Sequence, residues 1–187
     1  MTVEDCIKII KPRMGEKRFI HSVNVSAEAV RLSQKYGANA EKAAIAGMLH
    51  DVTKETPLEE QLQIIKDNGI ILSNVQKSAP KLWHAISGYI YIKTILGIND
   101  TEILDAVRYH TTGRENMSLL EKVVFVADFI GAERDYDGVE KMRKKAEKGL
   151  EEAMLFGTSF SIKDLLGRNL TVDPNTVALY NELVLNK

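Results

Sequence analysis

Residues 43–51 read AAIAGMLHD, an apolar run that ends in the dipeptide His50-Asp51. Such a run suits a helix buried in a core, because it carries no charged side chain before its last residues. The histidine and the aspartate therefore emerge where that helix leaves the core. Imidazole and carboxylate groups are typical ligands of transition metals, so this stretch predicts both a helical core and a metal site at its edge.

The other three histidines of the chain, His21, His84 and His110, also fall in or at the end of segments with helical character. A further aspartate, Asp128, lies inside the apolar run VVFVADFI at residues 123–130. A buried carboxylate needs a charge partner or a metal. One metal cluster accounts for all these side chains together, whereas a purely structural interpretation must find an independent partner for each of them.

The number of candidate ligands predicts two metal ions that share one carboxylate. The first metal would take His21, His50, Asp51 and Asp128, and the second His84 and His110, with Asp51 as the bridge. This nitrogen-rich set disfavours magnesium and calcium and suits iron, manganese or zinc. Two cations about 3.5–4 Å apart lower the pKa of a bridging water and neutralise phosphoryl charge. The pattern therefore predicts a binuclear metal hydrolase.

Cationic side chains lie close in sequence to these ligands. We predict four of them to bind substrate: Arg18, Lys54, Arg114 and Arg134. Lys54 is three residues after Asp51, and Arg114 follows His110 through a short flexible turn that could fold its guanidinium over the metals. Arginine suits bidentate phosphate binding and lysine acts as a point charge. We assign catalytic roles to Asp51, Lys54 and Arg114; a surface salt bridge is the alternative for each cation.

Length and composition restrict the class of protein. The 187 residues suit one domain, and 44% hydrophobic with 27% charged residues is ordinary for a globular protein. The net charge of −1 gives no overall field that favours nucleic acid or a membrane surface. A single cysteine, Cys6, excludes an internal disulfide and favours a cytoplasmic location. No signal peptide or membrane span is expected, and a homodimer stays open as one option.

Helical signals dominate the chain, and no segment shows the period-two alternation of a strand. Ser118 and Glu121 form a capping box, and Asp173-Pro174 opens the last helix. The fold is therefore predicted to be all-α. The predicted helices cover residues 3–12, 16–36, 40–53, 57–68, 82–96, 100–111, 118–131, 138–156, 158–168 and 174–186.

Longer stretches of the chain resemble the HD-domain phosphohydrolase superfamily, and within it the bacterial YqeK family. They are KRFIHSVNV (17–25), AAIAGMLHDVTK (43–54), LWHAISGY (82–89), LDAVRYHTTGRENMSLLEKVVFVADFI (104–130) and RDYDGV (134–139). The resemblance implies an all-α HD-domain helical bundle over residues 1–187, with a core at 16–139 and a helical extension at 140–187. It also implies the same six ligands, a binuclear centre that contains iron, and symmetrical hydrolysis of diadenosine tetraphosphate to two ADP.

Two stretches depart from the family pattern. Residues 85–87, after His84, differ from it, and Glu133 stands where the family commonly has a small residue or proline. Both bear on the shape of the nucleotide pocket. The alternatives are an HD phosphohydrolase acting on nucleoside monophosphates or guanosine alarmones, and a non-catalytic nucleotide or metal sensor. Intact Lys54 and Arg114 argue against the sensor.

Overall fold

The computed structural model describes residues 1–186 and forms eleven α-helices within them. No strand occurs in this range, so the all-α prediction is confirmed. None of these helices has the length and apolar character needed to cross a bilayer. The helices are α1 (Val3–Ile10), α2 (Glu16–Tyr36), α3 (Ala40–Leu49), α4 (Leu58–Asp67), α5 (Asn74–Ser78), α6 (Trp83–Thr94), α7 (Thr101–Tyr109), α8 (Leu119–Ile130), α9 (Val139–Lys148), α10 (Leu150–Gly167) and α11 (Pro174–Leu185).

The helix predicted at 40–53 is shorter in the structure and ends at Leu49. The residues that follow form successive tight turns, in which the Lys54 amide donates to the Asp51 carbonyl at 2.9 Å. Because each turn advances three residues, Lys54 still lies on the same side as Asp51. Lys54 therefore lies beside Asp51 as predicted, although the segment between them is not helical.

The predicted break at residue 157 is wrong, and the helices there divide at Gly149 instead. Gly149 has an extended backbone (φ −179°, ψ 147°), which ends α9 and begins α10. Gly157 lies inside α10, where a Cβ atom would come within 3.0 Å of Met142 Cε. This glycine therefore serves close packing between α9 and α10 rather than a turn.

Helix α5 was not predicted, although its sequence contains a recognisable helix-capping motif. Ser73 and Gln76 form a reciprocal capping box at its start. The indole N–H of Trp83 donates to the Gln76 carbonyl at 2.7 Å and so ties α5 to α6. The short helix is held by this contact more than by its own length, since five residues do not form a stable helix alone.

A hydrophobic core extends through the packing of α2, α3, α7 and α8 and reaches from α1 to α11. Leu32, Leu49, Val107 and Val124 are fully buried in it. Most side chains of α8 point into this core, because the helix is apolar on nearly every face. The helix thereby carries Asp128 toward the interior of the protein.

Helices α2 and α3 approach each other closely at small residues. The hydroxyl of Ser26 donates to the Ala44 carbonyl at 2.8 Å. A Cβ atom at Gly47 would lie 2.8 Å from Ser26 Cα, which only glycine avoids. This approach fixes the distance between His21 on α2 and His50 at the end of α3.

Helix α11 covers the loop that follows α7. The hydroxyl of Thr176 donates to the Thr112 carbonyl at 2.9 Å. The carboxylate of Glu182 accepts from the Asn116 amide at 2.7 Å. Since this loop begins directly after His110, the C-terminal segment forms a wall beside one of the candidate ligands.

Candidate metal centre

All six predicted ligands lie together where five helices meet. They come from the interior of α2, the C-terminus of α3, the first turn of α6, the C-terminus of α7 and the second half of α8. The four histidines and Asp51 are buried, and the side chain of Asp128 is 17% exposed. The positions are His21, His50, Asp51, His84, His110 and Asp128.

The carboxylate of Asp51 lies at the middle of the cluster, and its two oxygens face different histidines. Its Oδ2 lies 3.4 Å from His50 Nε2 and 3.7 Å from His21 Nε2. Its Oδ1 lies 3.2 Å from His84 Nε2 and 3.6 Å from His110 Nε2. One carboxylate therefore divides the imidazoles into two pairs.

Each pair of histidines lies close enough to share a metal, and a further group of candidate ligands joins His50, His110 and Asp128 across the two pairs. The Nε2 atoms of His21 and His50 are 3.1 Å apart, and Asp128 Oδ1 lies 3.1 Å from His21 Nε2. The Nε2 atoms of His84 and His110 are also 3.1 Å apart. The first group thus holds two imidazoles with two carboxylates, and the second holds two imidazoles with the shared Asp51.

The second ring nitrogen of every histidine is engaged outside the cluster. The Nδ1 atoms of His50, His84 and His110 donate to the carbonyls of residues 47, 81 and 107 at 2.7, 2.8 and 2.7 Å. That of His21 contacts the carboxylate of Glu133. Because a carbonyl oxygen can only accept, these contacts place the proton on Nδ1 and leave a lone pair on Nε2.

This donor set fits a pair of cations. Four Nε2 lone pairs and the carboxylates of Asp51 and Asp128 converge on one another, and Asp51 Oδ1 has no hydrogen-bond partner within the described residues. Buried acceptors facing one another at about 3 Å repel unless positive charge lies among them. The cluster therefore indicates a divalent metal centre.

Electrostatics keep the candidate ligands in the states that metals bind. Burial raises the pKa of Asp51, but its interactions with the surrounding imidazoles, those of His50 first, outweigh burial and hold that pKa well below its usual range. Burial also raises the pKa of Asp128. The hydrogen bond to His21 and the nearby positive charge have the larger, opposite effect, so the pKa of Asp128 lies below its usual value. Burial lowers the pKa of His84 to about 4. The carboxylates are ionised and His84 is neutral at neutral pH, as metal binding requires.

Three of the four predicted cations lie at the cluster. Arg18 contacts Asp51 Oδ2 at 2.7 Å. Arg134 contacts the carboxylate of Asp128 and also donates to its carbonyl at 2.7 Å. Lys54 Nζ lies 3.2 Å from His84 Nε2 and 4.0 Å from Asp51 Oδ1. These side chains surround the carboxylates with positive charge.

Arg114 lies elsewhere, contrary to the expectation that its guanidinium folds over the metals. It makes a bidentate contact with the buried Glu121, at 2.6 and 2.9 Å, and reaches Asp105 at 3.3 Å. Its guanidinium also stacks on Tyr109, 4.8 Å from the ring centre. Glu121 is the acidic member of the capping box of α8 and attracts Arg114 away from the histidines.

The sequence singled out Glu133 only as a departure from the family pattern that bears on the nucleotide pocket, whereas in the structure it contacts a candidate metal ligand. Its carboxylate accepts from His21 Nδ1 and from Asn24 Nδ2, the latter at 2.6 Å. A Cβ atom at residue 131 would lie 2.9 Å from Glu133 Oε2, so Gly131 leaves the space that this carboxylate occupies. No local pattern shows that the loop after α8 returns to α2, which is why only the fold identifies this contact.

Residues 18–132 match the HD domain family, which is 115 of the 187 residues. The chain belongs to the HD domain family. Three relatives of this HD domain protein carry the name "Bis(5'-nucleosyl)-tetraphosphatase, symmetrical". That of Bacillus subtilis is 39% identical over 98% of both chains. Those of Halalkalibacterium halodurans and Staphylococcus aureus are 36% and 30% identical, and each alignment covers 97% of this chain and 96% or 94% of the relative.

A crystal structure from Clostridium acetobutylicum has nearly the same fold as this HD domain protein. It is described as a "predicted HD superfamily hydrolase involved in NAD metabolism". The two chains are 36% identical with a TM-score of 0.96, over 100% of this chain and 99% of the other. The family identified from the sequence is thus confirmed along the whole chain.

Proposed function

We propose that this HD domain protein is a metal-dependent phosphohydrolase that cleaves diadenosine tetraphosphate symmetrically into two ADP. The observation that carries the proposal is the central Asp51 carboxylate, each of whose oxygens faces a different pair of imidazole Nε2 atoms. That arrangement suits two ions held by one bridging ligand. The names of the three full-length relatives support a bis(5'-nucleosyl) tetraphosphate that is cleaved symmetrically, and the family resemblance implies that the nucleoside is adenosine.

The six side chains of the cluster would hold the metals, with His21, His50 and Asp128 on one side of Asp51 and His84 and His110 on the other. A bound metal pair supplies a nucleophile at neutral pH and neutralises phosphoryl charge. The nitrogen-rich donor set supports iron, with manganese or zinc as the other candidates. Iron is the metal that the family resemblance implies.

The positive charge of Arg18, Lys54 and Arg134 at the cluster supports binding of the phosphate chain there. Arg18 and Arg134 each pair with a ligand carboxylate, and both can offer further N–H donors to phosphate oxygens. Burial lowers the pKa of Lys54, whose ammonium group lies between Asp51 and His84. These groups stabilise negative charge that develops on the phosphoryl oxygens.

The reaction consumes one water molecule. Its oxygen forms a bond to one of the two inner phosphorus atoms while the bond from that phosphorus to the central bridging oxygen breaks. One ADP retains the new oxygen and the other leaves with the bridging oxygen, and protons pass to solvent. ADP is a good leaving group, so the chain needs no strong general acid near the site.

The test is an anaerobic preparation with metal quantification, followed by a substrate panel with product identification. We expect two metals per chain and ADP as the only product from diadenosine tetraphosphate. NAD, nucleoside monophosphates and guanosine alarmones complete the panel, and release of inorganic phosphate or pyrophosphate would favour the alternatives.

Replacement of the bridging residue makes this test specific. We expect Asp51→Asn to lose most bound metal and to reduce turnover about 100-fold or more, because an amide is a poor bridging ligand. Asp67→Asn, an exposed acid on α4, is the control and should match the original protein. Full turnover by Asp51→Asn with both metals bound would refute the bridging assignment.

A cytoplasmic location and a homodimer remain predictions. The single buried cysteine and a nucleotide substrate support the first of them.

A further inference from the structure

A cavity of about 470 Å³ opens beside the metal centre, within the size range of small-molecule sites. We call it the Asp173 cavity. Most of its apolar wall comes from leucine and proline side chains, which suits a flat aromatic group. Its polar lining includes Lys81, Thr111, Thr112, Arg168, Asp173 and Thr176.

The Asp173 cavity adjoins the second pair of histidines. Thr111 lines the cavity, and its hydroxyl lies 3.4 Å from His110 Nε2. Lys81 also lines it, and its carbonyl accepts from His84 Nδ1 at 2.8 Å. A nucleotide whose phosphates lie at the metal centre therefore has this cavity within reach of its nucleoside end.

Asp173 is 4% exposed, and only one of its two side-chain oxygens has a hydrogen-bond partner within the described residues. Oδ1 accepts from the Asn175 amide at 2.9 Å and caps α11. Oδ2 is buried and has no hydrogen-bond partner within residues 1–186. A buried carboxylate oxygen without a donor is costly, so this atom indicates a ligand that brings an N–H group.

We propose that the Asp173 cavity binds an adenine base of the dinucleotide, and that Asp173 Oδ2 accepts a hydrogen bond from the exocyclic amino group. The proposal rests on the proposed function, since it takes a nucleotide at the metal centre as given. Leu82, Leu165 and Leu170 form the apolar surface that the base contacts. One wall of the cavity, from Ser161 to Thr176, lies outside the matched HD domain, and the other wall comes from HD domain residues that include Leu82. The C-terminal segment therefore supplies Asp173 to a site that it shares with the HD domain.

The test measures the binding of ADP, IDP and inorganic pyrophosphate to the metal-loaded full chain by titration calorimetry. IDP carries an oxygen in place of the amino group, so we expect it to bind about tenfold more weakly than ADP. Asp173→Asn retains an oxygen that caps α11 but replaces the free acceptor with an amide donor. This variant should bind ADP about tenfold more weakly, lose the preference for ADP over IDP, and bind pyrophosphate with unchanged affinity.

The matched control is Asp100→Asn, which alters the equivalent capping aspartate of α7 outside the cavity. It should leave the binding of all three probes unchanged. If Asp173→Asn is unstable, Leu165→Trp is used instead to fill the cavity. It should weaken the binding of ADP but not that of pyrophosphate. Unchanged ADP binding in a folded cavity variant, or equal weakening of ADP and pyrophosphate, would overturn the proposal.

The outcome is separable from that of the proposed function. If the protein hydrolyses diadenosine tetraphosphate but the Asp173→Asn variant binds ADP as tightly as the original protein, the base-binding proposal is refuted and the proposed activity stands. If ADP binding depends on Asp173 but the protein does not hydrolyse diadenosine tetraphosphate, the base-binding proposal stands and the proposed activity is refuted.

Discussion

At the scale of single residues, the orientation of each candidate histidine ligand depends on its Nδ1 atom, which points away from the cluster and is held by a hydrogen bond. Three Nδ1 atoms are held by main-chain carbonyls, but that of His21 depends on a side chain, Glu133. A carboxylate partner orients the imidazole and raises its basicity. His21 is therefore the candidate ligand most open to change by substitution outside the cluster.

We predict that Glu133→Ala weakens metal affinity about 10- to 100-fold, because His21 loses the group that orients its ring. Glu133→Gln should retain more of the affinity, since its amide oxygen still accepts from Nδ1. Competition with a chelator of known affinity measures both variants, and Glu115→Ala, an exposed acid, is the control. Equal affinity in the alanine variant and the control would contradict the prediction.

Arg114 allows a catalytic role and a structural role to be separated. We predict that Arg114→Ala lowers the free energy of unfolding by about 2 kcal/mol, because the buried Glu121 loses its charge partner. Urea denaturation measures the loss, and metal content should not change. The double variant Arg114→Ala with Glu121→Gln should recover part of the stability, since glutamine still completes the capping box. A large fall in turnover at unchanged stability would restore the catalytic assignment.

At the scale of helices, four of the six candidate ligands lie at the end of a helix: His50, Asp51, His84 and His110. His50 and His110 each follow the last residue of a helix, and each donates Nδ1 to a carbonyl three residues earlier in that helix. The unsatisfied carbonyls at a helix C-terminus thus fix the ring orientation of both residues. Displacement of either helix displaces a ligand with it.

The close approach of α2 and α3 gives a test of this coupling. In Gly47→Ala, the new Cβ atom would lie 2.8 Å from Ser26 Cα and 3.1 Å from the Val25 carbonyl, and main-chain atoms cannot easily yield. We predict a loss of about 1–3 kcal/mol in unfolding free energy together with weaker metal binding. Thermal denaturation and metal quantification measure the two effects.

Gly167→Ala is the matched control, because this glycine also lies in a helix but has open space where its Cβ would be. It should be neutral or stabilise the protein by up to about 1 kcal/mol. A Gly47→Ala variant as stable as this control would show that α2 and α3 can separate without cost.

At the scale of the whole molecule, the candidate ligands connect α2, α3, α6, α7 and α8 at one point. A metal that binds the native state and not the unfolded chain stabilises the protein by about 2.7 kcal/mol at 100 times its Kd. Removal with a chelator should therefore lower Tm by about 5–10 °C for a chain of this size. Calorimetry with and without chelator measures the shift, and Asp51→Asn should show almost none. An unchanged Tm after verified metal removal would contradict this prediction.

Much of the fold could be predicted because its signals are local. The all-α class follows from the absence of period-two alternation, and the Ser118 capping box and the Asp173 cap mark their helices correctly. These signals act within four residues and need no knowledge of the rest of the chain. The break at Gly149 was missed because glycine serves turns and close packing alike, and only the packed neighbours distinguish the two uses.

The sequence by itself determined which residue types can bind metal and which helices carry them, since ligand chemistry and helical periodicity are properties of single residues and short segments. Tertiary structure alone decided that Asp51 turns its two oxygens to different histidine pairs, that Glu133 supports His21, that Arg114 pairs with Glu121, and that Asp173 faces a cavity. The physical reason is that each of these contacts joins different segments of the chain. Their distances are set by how helices pack, and no local pattern encodes them.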